Sequence, residues 1–240
     1  MKTTSILLLF LMSVSIIGCS LKQNSIRGNT KMQKESRKIK GYNQISMHGS
    51  FQVNLVEGIE GLIKVSAEEN LLPYILTDVK GDQLNIKFKS GYSYSPTKKI
   101  TVTVPVEDLD EITLVGSGNV SGKIPGQLED LKLVLTGSGN IELTIVSQNL
   151  NSSLIGSGDI ELSGETAYME TMVSGSGDFK AYQLKAQEIE AMITGSGDMQ
   201  LYAVQRLKAR VIGSGDILYK GEPKKETINI TGSGNVKAAN

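Results

Sequence analysis

From about residue 111 onward, apolar and polar residues alternate in two short runs around a fixed break, and the arrangement occurs seven times. Two residues before each break stand Leu114, Leu135, Leu154, Val173, Ile193, Val211 and Ile230. Four residues after its first glycine stand Val120, Ile141, Ile160, Phe179, Met199, Ile217 and Val236. One step of two further out, Ile112, Leu133, Ser152, Thr171, Ala191, Ala209 and Ile228 continue one run, and Leu143, Leu162, Ala181, Leu201 and Tyr219 the other. Alternation at period two predicts strands buried on one face. The intervening Lys132, Glu142, Glu161, Glu170, Lys180, Glu190 and Lys208 suit a solvated outer face.

The break itself is Gly-Ser-Gly-Asx. Its copies supply Gly116, Gly118 and Asn119, then Gly137, Gly139 and Asn140, then Gly156, Gly158 and Asp159, then Gly175, Gly177 and Asp178. Gly195, Gly197 and Asp198, Gly213, Gly215 and Asp216, and Gly232, Gly234 and Asn235 complete the series. Successive copies are 21, 19, 19, 20, 18 and 19 residues apart, a period too short for helical-pair repeats. One such unit cannot bury its apolar face alone, whereas stacked units share a core.

Antiparallel hairpins in a meander and the coils of a solenoid would both satisfy the pattern. The constant phase and length favour the solenoid: an all-β, right-handed parallel β-helix with coils of about 19 residues and two short strands per coil. Equivalent residues then stack at about 4.8 Å in ladders. The turns form a column in which glycine permits close stacking and Ser and Asx side chains bond neighbouring backbone groups. Four successive aspartates in that column require water or cations between them, so a Ca²⁺ ladder is the alternative to purely structural turns; the structural reading, with no metal, is preferred.

The segment from Ile39 to Pro105 retains alternation in a degenerate form, with Gly49-Ser50 as a worn copy of the turn. Glu68 to Ile75 predicts a short helix or irregular cap over a solenoid end, and Ser90 to Thr97 an exposed loop.

The first residues change the picture of where the protein works. Lys2 precedes an apolar run, Ile6 to Ile17, followed by small residues, which is the pattern of a secretory leader. Ser15-Ile16-Ile17-Gly18-Cys19 resembles the lipobox of bacterial lipoproteins, which implies acylation of Cys19, with palmitate among the chains, and a membrane as partner. Ser20, rather than Asp, after that cysteine favours the outer membrane. The expected organisation is a leader over 1–18, a flexible basic tether over 19–38, and a solenoid over 39–240, degenerate to 110 and regular from 111. Lys22, Arg27, Lys31, Lys34, Arg37 and Lys38 against Glu35 give the tether its charge. Export makes anionic lipid a better counterpart for it than nucleic acid.

Composition narrows the chemistry. The chain has one cysteine and one histidine, His48, so no intramolecular disulfide, Cys/His nucleophile or zinc cluster can be assembled. The serines of the turns recur without a histidine partner, and repetition argues for structure. No cofactor is expected. Tyr92, Tyr94, Tyr168, Tyr182 and Tyr202 are the candidate stacking residues for a glycan or other surface polymer.

Several motifs in fixed order carry a family resemblance: Ile45-Ser46-Met47-His48-Gly49-Ser50-Phe51-Gln52-Val53, Glu69-Asn70-Leu71-Leu72-Pro73-Tyr74-Ile75, the Gly-Ser-Gly-Asx series, and Tyr219-Lys220-Gly221-Glu222-Pro223. Together they resemble the bacterial GIN-domain family, described as an adhesin head domain and common in Bacteroidetes lipoproteins. The resemblance implies a β-helical domain on the cell surface, with adhesin as its working label. The resulting expectation is a cell-envelope adhesin or glycan-contact module without catalytic activity, exposed at the surface. A periplasm-facing envelope scaffold is the alternative, and a polysaccharide-acting β-helix enzyme the third reading.

Overall fold

The computed structural model describes residues 25–239; the expected leader and Cys19 lie outside the described residues. The N-terminal part contains β1 (Ser25–Arg27), β2 (Met32–Lys38), β3 (Gln44–His48), β4 (Gln52–Glu57) and β5 (Leu62–Glu68). A single 3-10 turn (Leu72–Tyr74) leads to β6 (Ile75–Lys80), β7 (Gln83–Phe88), β8 (Ser93–Ser95) and β9 (Thr101–Val106). The repeats give β10 (Glu111–Gly116), β11 (Asn119–Lys123), β12 (Leu128–Gly137), β13 (Asn140–Gly156) and β14 (Asp159–Gly175). β15 (Phe179–Gly195), β16 (Met199–Gly213), β17 (Ile217–Lys220), β18 (Lys225–Gly232) and β19 (Val236–Ala238) complete the chain.

One coil shows why the sequence folds this way. In β13, Ile141, Leu143, Ile145 and Ser147 point inward, then Gln148 and Asn149 are both exposed, and Leu150, Ser152 and Leu154 point inward again. That one-residue slip in the alternation is a corner, and Gln148 has no opposite number in the register with β14. Each coil therefore has two arms, joined at one corner by Gly-Ser-Gly-Asx and at the other by the slip. Pairing continues around the second corner, so three coils are bent 17-residue strands rather than the separate short strands expected.

Neighbouring coils pair in parallel, and the first glycines of all seven turns are in register from Gly116 to Gly232. The ladder Leu114, Leu135, Leu154, Val173, Ile193 and Val211 is wholly enclosed, and the facing ladder from Val120 through Ile141, Ile160, Phe179, Met199 and Ile217 is equally so. Both belong to one core. Small aliphatic residues suffice because the opposed arms meet directly across it.

The N-terminal half obeys the same rule in a different order. β3 pairs with β10 and β4 with β11, so Gly49, at φ +121°, continues the turn column next to Gly116. On the far side β3 pairs with β7 and β4 with β9. The chain thus enters the stack at its second coil, leaves to build the first, and returns at the third. The end is closed by antiparallel strands, with β6 on β7, β5 on β9 and β2 on β5.

Two expectations are corrected here. Residues 25–38 are not a flexible tether: β2 pairs along its whole length with β5, and β1 pairs with β8. The charged sequence of β2 belongs to an edge strand, where Lys34, Glu35, Arg37 and Lys38 discourage further pairing. The segment Ser90–Thr97, in turn, is more than an exposed loop, since it carries β8, which pairs with β1. The cap expected near Leu72 is the 3-10 turn.

Glu68 fastens this end. Its carboxylate is fully enclosed and accepts bonds from the amides of Thr30 (2.6 Å) and Thr97 (2.8 Å) and from the Thr97 hydroxyl (2.6 Å). Burial pushes its carboxyl up, but the bonds from Thr97, Thr30 and Lys98 together outweigh that and hold it below the ordinary value. Arg37 reaches from β2 to the 3-10 turn and the start of β6, donating to the carbonyls of Leu72 (2.9 Å) and Ile75 (2.5 Å).

Candidate functional site

The turn column is a backbone device. In each step the Ser and second Gly amides donate to the first glycine's carbonyl in the coil before; Ser157 and Gly158, for example, reach Gly137 O at 2.9 and 3.1 Å. A Cβ on Gly158 would fall onto the Gly139 carbonyl oxygen and within 3.0 Å of the Gly139 nitrogen, so only glycine allows the coils to close to strand spacing there.

The Asx side chains add a second ladder between coils. Asp159 Oδ1 accepts the Asp178 amide (3.1 Å), Asp178 Oδ1 that of Asp198 (3.1 Å), and Asp198 Oδ1 that of Asp216 (2.8 Å). At one end Asp216 Oδ1 takes both the amide and the Nδ2 of Asn235, at 2.8 and 3.0 Å. Towards the other end the ladder becomes amide to amide: Asn140 donates to Asn119 (3.0 Å), and Asn119 to Gln52 (3.2 Å). Each aspartate thus has a fixed donor, and such charge-assisted bonds offset part of the repulsion along the column. Lys180 offsets more, with its Nζ 2.7 Å from Asp159 Oδ2 and 4.0 Å from Asp178 Oδ2. The bond to Asp159 raises the lysine pKa against the opposing effect of burial.

Beside the column runs a shallow groove of about 380 Å³, lined by Gln52, Asn119, Asn140, Glu142, Glu161 and Lys180 among others. Glu142 and Glu161 are register neighbours there. Its open, polar floor can bond hydroxyl groups along an extended ligand, but it does not enclose one.

The tyrosines divide into two sets. Tyr92 and Tyr94 come together, with ring centroids 6.1 Å apart. Tyr74, which sequence reasoning passed over, joins them at 5.3 Å from Tyr92 and 5.8 Å from Tyr94. Tyr94 stacks on Phe88 at 4.2 Å, and Phe88 lies 5.0 Å from the buried Phe51. A file of five rings therefore runs from the core outward, where the insertion between β7 and β9 replaces the turn. Tyr94 donates its hydroxyl to Lys89 O (2.7 Å), which fixes the ring. No period links Tyr74 with Tyr92, so alternation offered no signal for the cluster.

Tyr168, Tyr182 and Tyr202 are dispersed over the coils. Lys220 lies 4.4 Å above the Tyr182 ring and Lys185 6.0 Å from that of Tyr202, so both rings have cationic neighbours from the protein itself. Tyr168 stands in a charged setting: burial, then Glu190 and Glu170, raises its pKa, while Arg206 and Lys208 work against them. On that face the pairs Glu111–Lys132 (3.4 Å), Glu190–Lys208 (2.8 Å) and Glu188–Arg206 bridge adjacent coils. His48 bonds Ser46 Oγ at 3.1 Å, as two same-face residues of one strand do; the serine is buried beneath it, away from any approaching substrate.

The family described as "Putative auto-transporter adhesin, head GIN domain" matches residues 41–223. Among solved structures, a putative adhesin from Bacteroides fragilis is similar at a TM-score of 0.83 and 25% identity, over 89% of this chain and 100% of its own. A putative lipid binding protein from Parabacteroides distasonis is similar at 0.76 and 30% identity, over 90% and 100%. A putative adhesin from Parabacteroides merdae shares the fold at 0.71 and 24% identity, over 90% and 100%. No curated protein matches the sequence.

Proposed function

The chain belongs to the auto-transporter adhesin head GIN-domain family, and on that basis we propose that it is an adhesion module of the cell envelope, acylated at Cys19, that contacts glycan or another repetitive surface polymer without catalysing a reaction. The observation that carries the reading is the aromatic file ending in Tyr74, Tyr92 and Tyr94, half-buried rings held in place by one another and open at the surface. Fixed aromatic faces bind the apolar faces of sugar rings with little loss of side-chain freedom. The polar groove continues as a second contact zone, and weak contacts repeated at coil spacing sum to useful avidity for a repeating polymer.

Relatives described as adhesins support the adhesive reading over an enzymatic one. The lipid binding named for the Parabacteroides distasonis relative is a rival reading. Against an interior lipid site stands the core itself, in which Leu135, Leu154, Ile141 and Ile160 are wholly enclosed by protein. Binding of the purified protein to a panel of bacterial and host glycans, with and without the tyrosine rings, tests the proposal.

A further inference from the structure

The two ends of the solenoid are finished differently. At the closed end, edge strand β2 carries the charges of Lys34, Glu35, Arg37 and Lys38, and Arg37 covers the carbonyls of Leu72 and Ile75 at the start of β6. Those are devices that keep an edge from pairing with another chain. At the opposite end β18 pairs on one side only among the described residues, with β16, and every one of its residues is exposed. Ile228 and Ile230 stand on the inward ladders above Ala209 and Val211, yet are 39% and 44% exposed, whereas the two residues beneath are fully enclosed. β18 contains no proline or bulge and has one cation, Lys225, against one anion, Glu226.

The sequence of β18, Lys-Glu-Thr-Ile-Asn-Ile-Thr-Gly, is close to symmetric about Asn229. Antiparallel pairing with a second β18 about that residue sets Asn229 opposite Asn229, Ile228 opposite Ile230, and Thr227 opposite Thr231. Lys225 and Glu226 then meet Ser233 and Gly232, so no like charges oppose. Ile–Ile and Thr–Thr are favourable cross-strand pairs. A two-fold axis normal to the sheet also keeps each strand's inward residues on the inward side, so the core continues across the junction.

We propose that this open end is a homodimer interface, in which β18 of one copy pairs antiparallel with β18 of a second copy around Asn229 and the two solenoids join end to end. β1, the first described strand, lies at the closed end with β8, so the dimer places the two N-terminal sides at opposite ends of a doubled rod. If Cys19 is the anchor, as the proposed function holds, the geometry suits pairing between molecules on two facing membranes. Pairing in solution does not depend on that anchor.

The test uses the full chain with Cys19→Ala, so that neither lipid nor the native thiol intervenes. Sedimentation velocity at micromolar concentration is expected to give twice the 25.8 kDa chain mass. Ile228→Lys with Ile230→Lys is expected to give the monomer with an unchanged far-UV spectrum. Asn229→Cys in the same background is expected to form an intermolecular disulfide under mild oxidation, because opposed strand residues lie within disulfide reach. This second variant decides the matter if the lysine variant does not fold. A wild-type monomer at all concentrations, or a dimer that survives the lysines and leaves the thiols of the Asn229→Cys variant free, would overturn the proposal.

Discussion

Asp178 Oδ1 lies 3.1 Å from the backbone nitrogen of Asp198, one coil away. The bond makes the aspartate column a set of inter-coil ties, with each carboxylate receiving the amide of its successor. Asn keeps the accepting oxygen and removes a charge, so Asp178→Asn is expected to be close to neutral. Asp178→Leu leaves the Asp198 amide without its partner and should cost about 1 kcal/mol after solvent screening. Chemical denaturation of both variants reads the difference. Since each Oδ1 of the ladder already has a donor, EDTA is expected to leave the melting temperature unchanged; a clear drop would revive a calcium ladder.

Close stacking at the turn makes a second prediction. Gly158→Ala drives a methyl group into the Gly139 backbone and is expected to cost about 1–3 kcal/mol, the range for overpacking. Ser157→Ala, one residue away on the exposed side of the turn, should change stability little. Equal effects at the two positions would contradict the stacking argument.

Glu68 predicts a pH dependence of the closed end. Its native pKa is below the ordinary carboxylate value, so its stabilisation is fully present above that value and fades as the pH falls through the lowered native one. Glu68→Gln exchanges one of the two accepting oxygens for an NH2 donor, which then faces either the Thr30 amide or the amides of Thr97 and Lys98; this loosens the clasp and should lower the melting temperature at pH 7 while flattening its acid-side decline. Amide exchange at Thr30 and Thr97 should rise in the variant; unchanged protection at both would count against the clasp.

How far the sequence speaks for itself depends on the residue. Alternation around Leu135 and Ile141 is legible because both faces of those arms are distinct, one packed and one wet. The second corner is not legible, since the slip at Gln148 uses no glycine or proline and shows only when burial is known. β2 escaped notice because an edge strand protected by charge carries no apolar stripe. Coil order was hidden as well: Gly49 meets Gly116 across the two strand excursions that build the first coil and cap. For the same reason Tyr92 and Tyr94 could be suspected singly, but their meeting with Tyr74 depends on the 3-10 turn and the insertion folding over the same end.

The anchor is tested in cells. Cys19→Ala is expected to abolish metabolic labelling by palmitate and to release the protein from the membrane fraction, and labelling that persists would refute acylation at that residue. Protease added to intact cells should digest the wild-type solenoid. Survival until lysis would instead place it on the periplasmic face.

The most direct measurement is glycan binding itself, made on the wild-type chain and on Tyr92→Ala and Tyr74→Ala across a panel of polysaccharides and host glycans. The adhesin reading predicts selective binding to a repeating glycan, weakened at least tenfold in both variants, whose folds stay intact because the rings stand at the surface. Flat, featureless binding across the panel, or selective binding that ignores both substitutions, would contradict it.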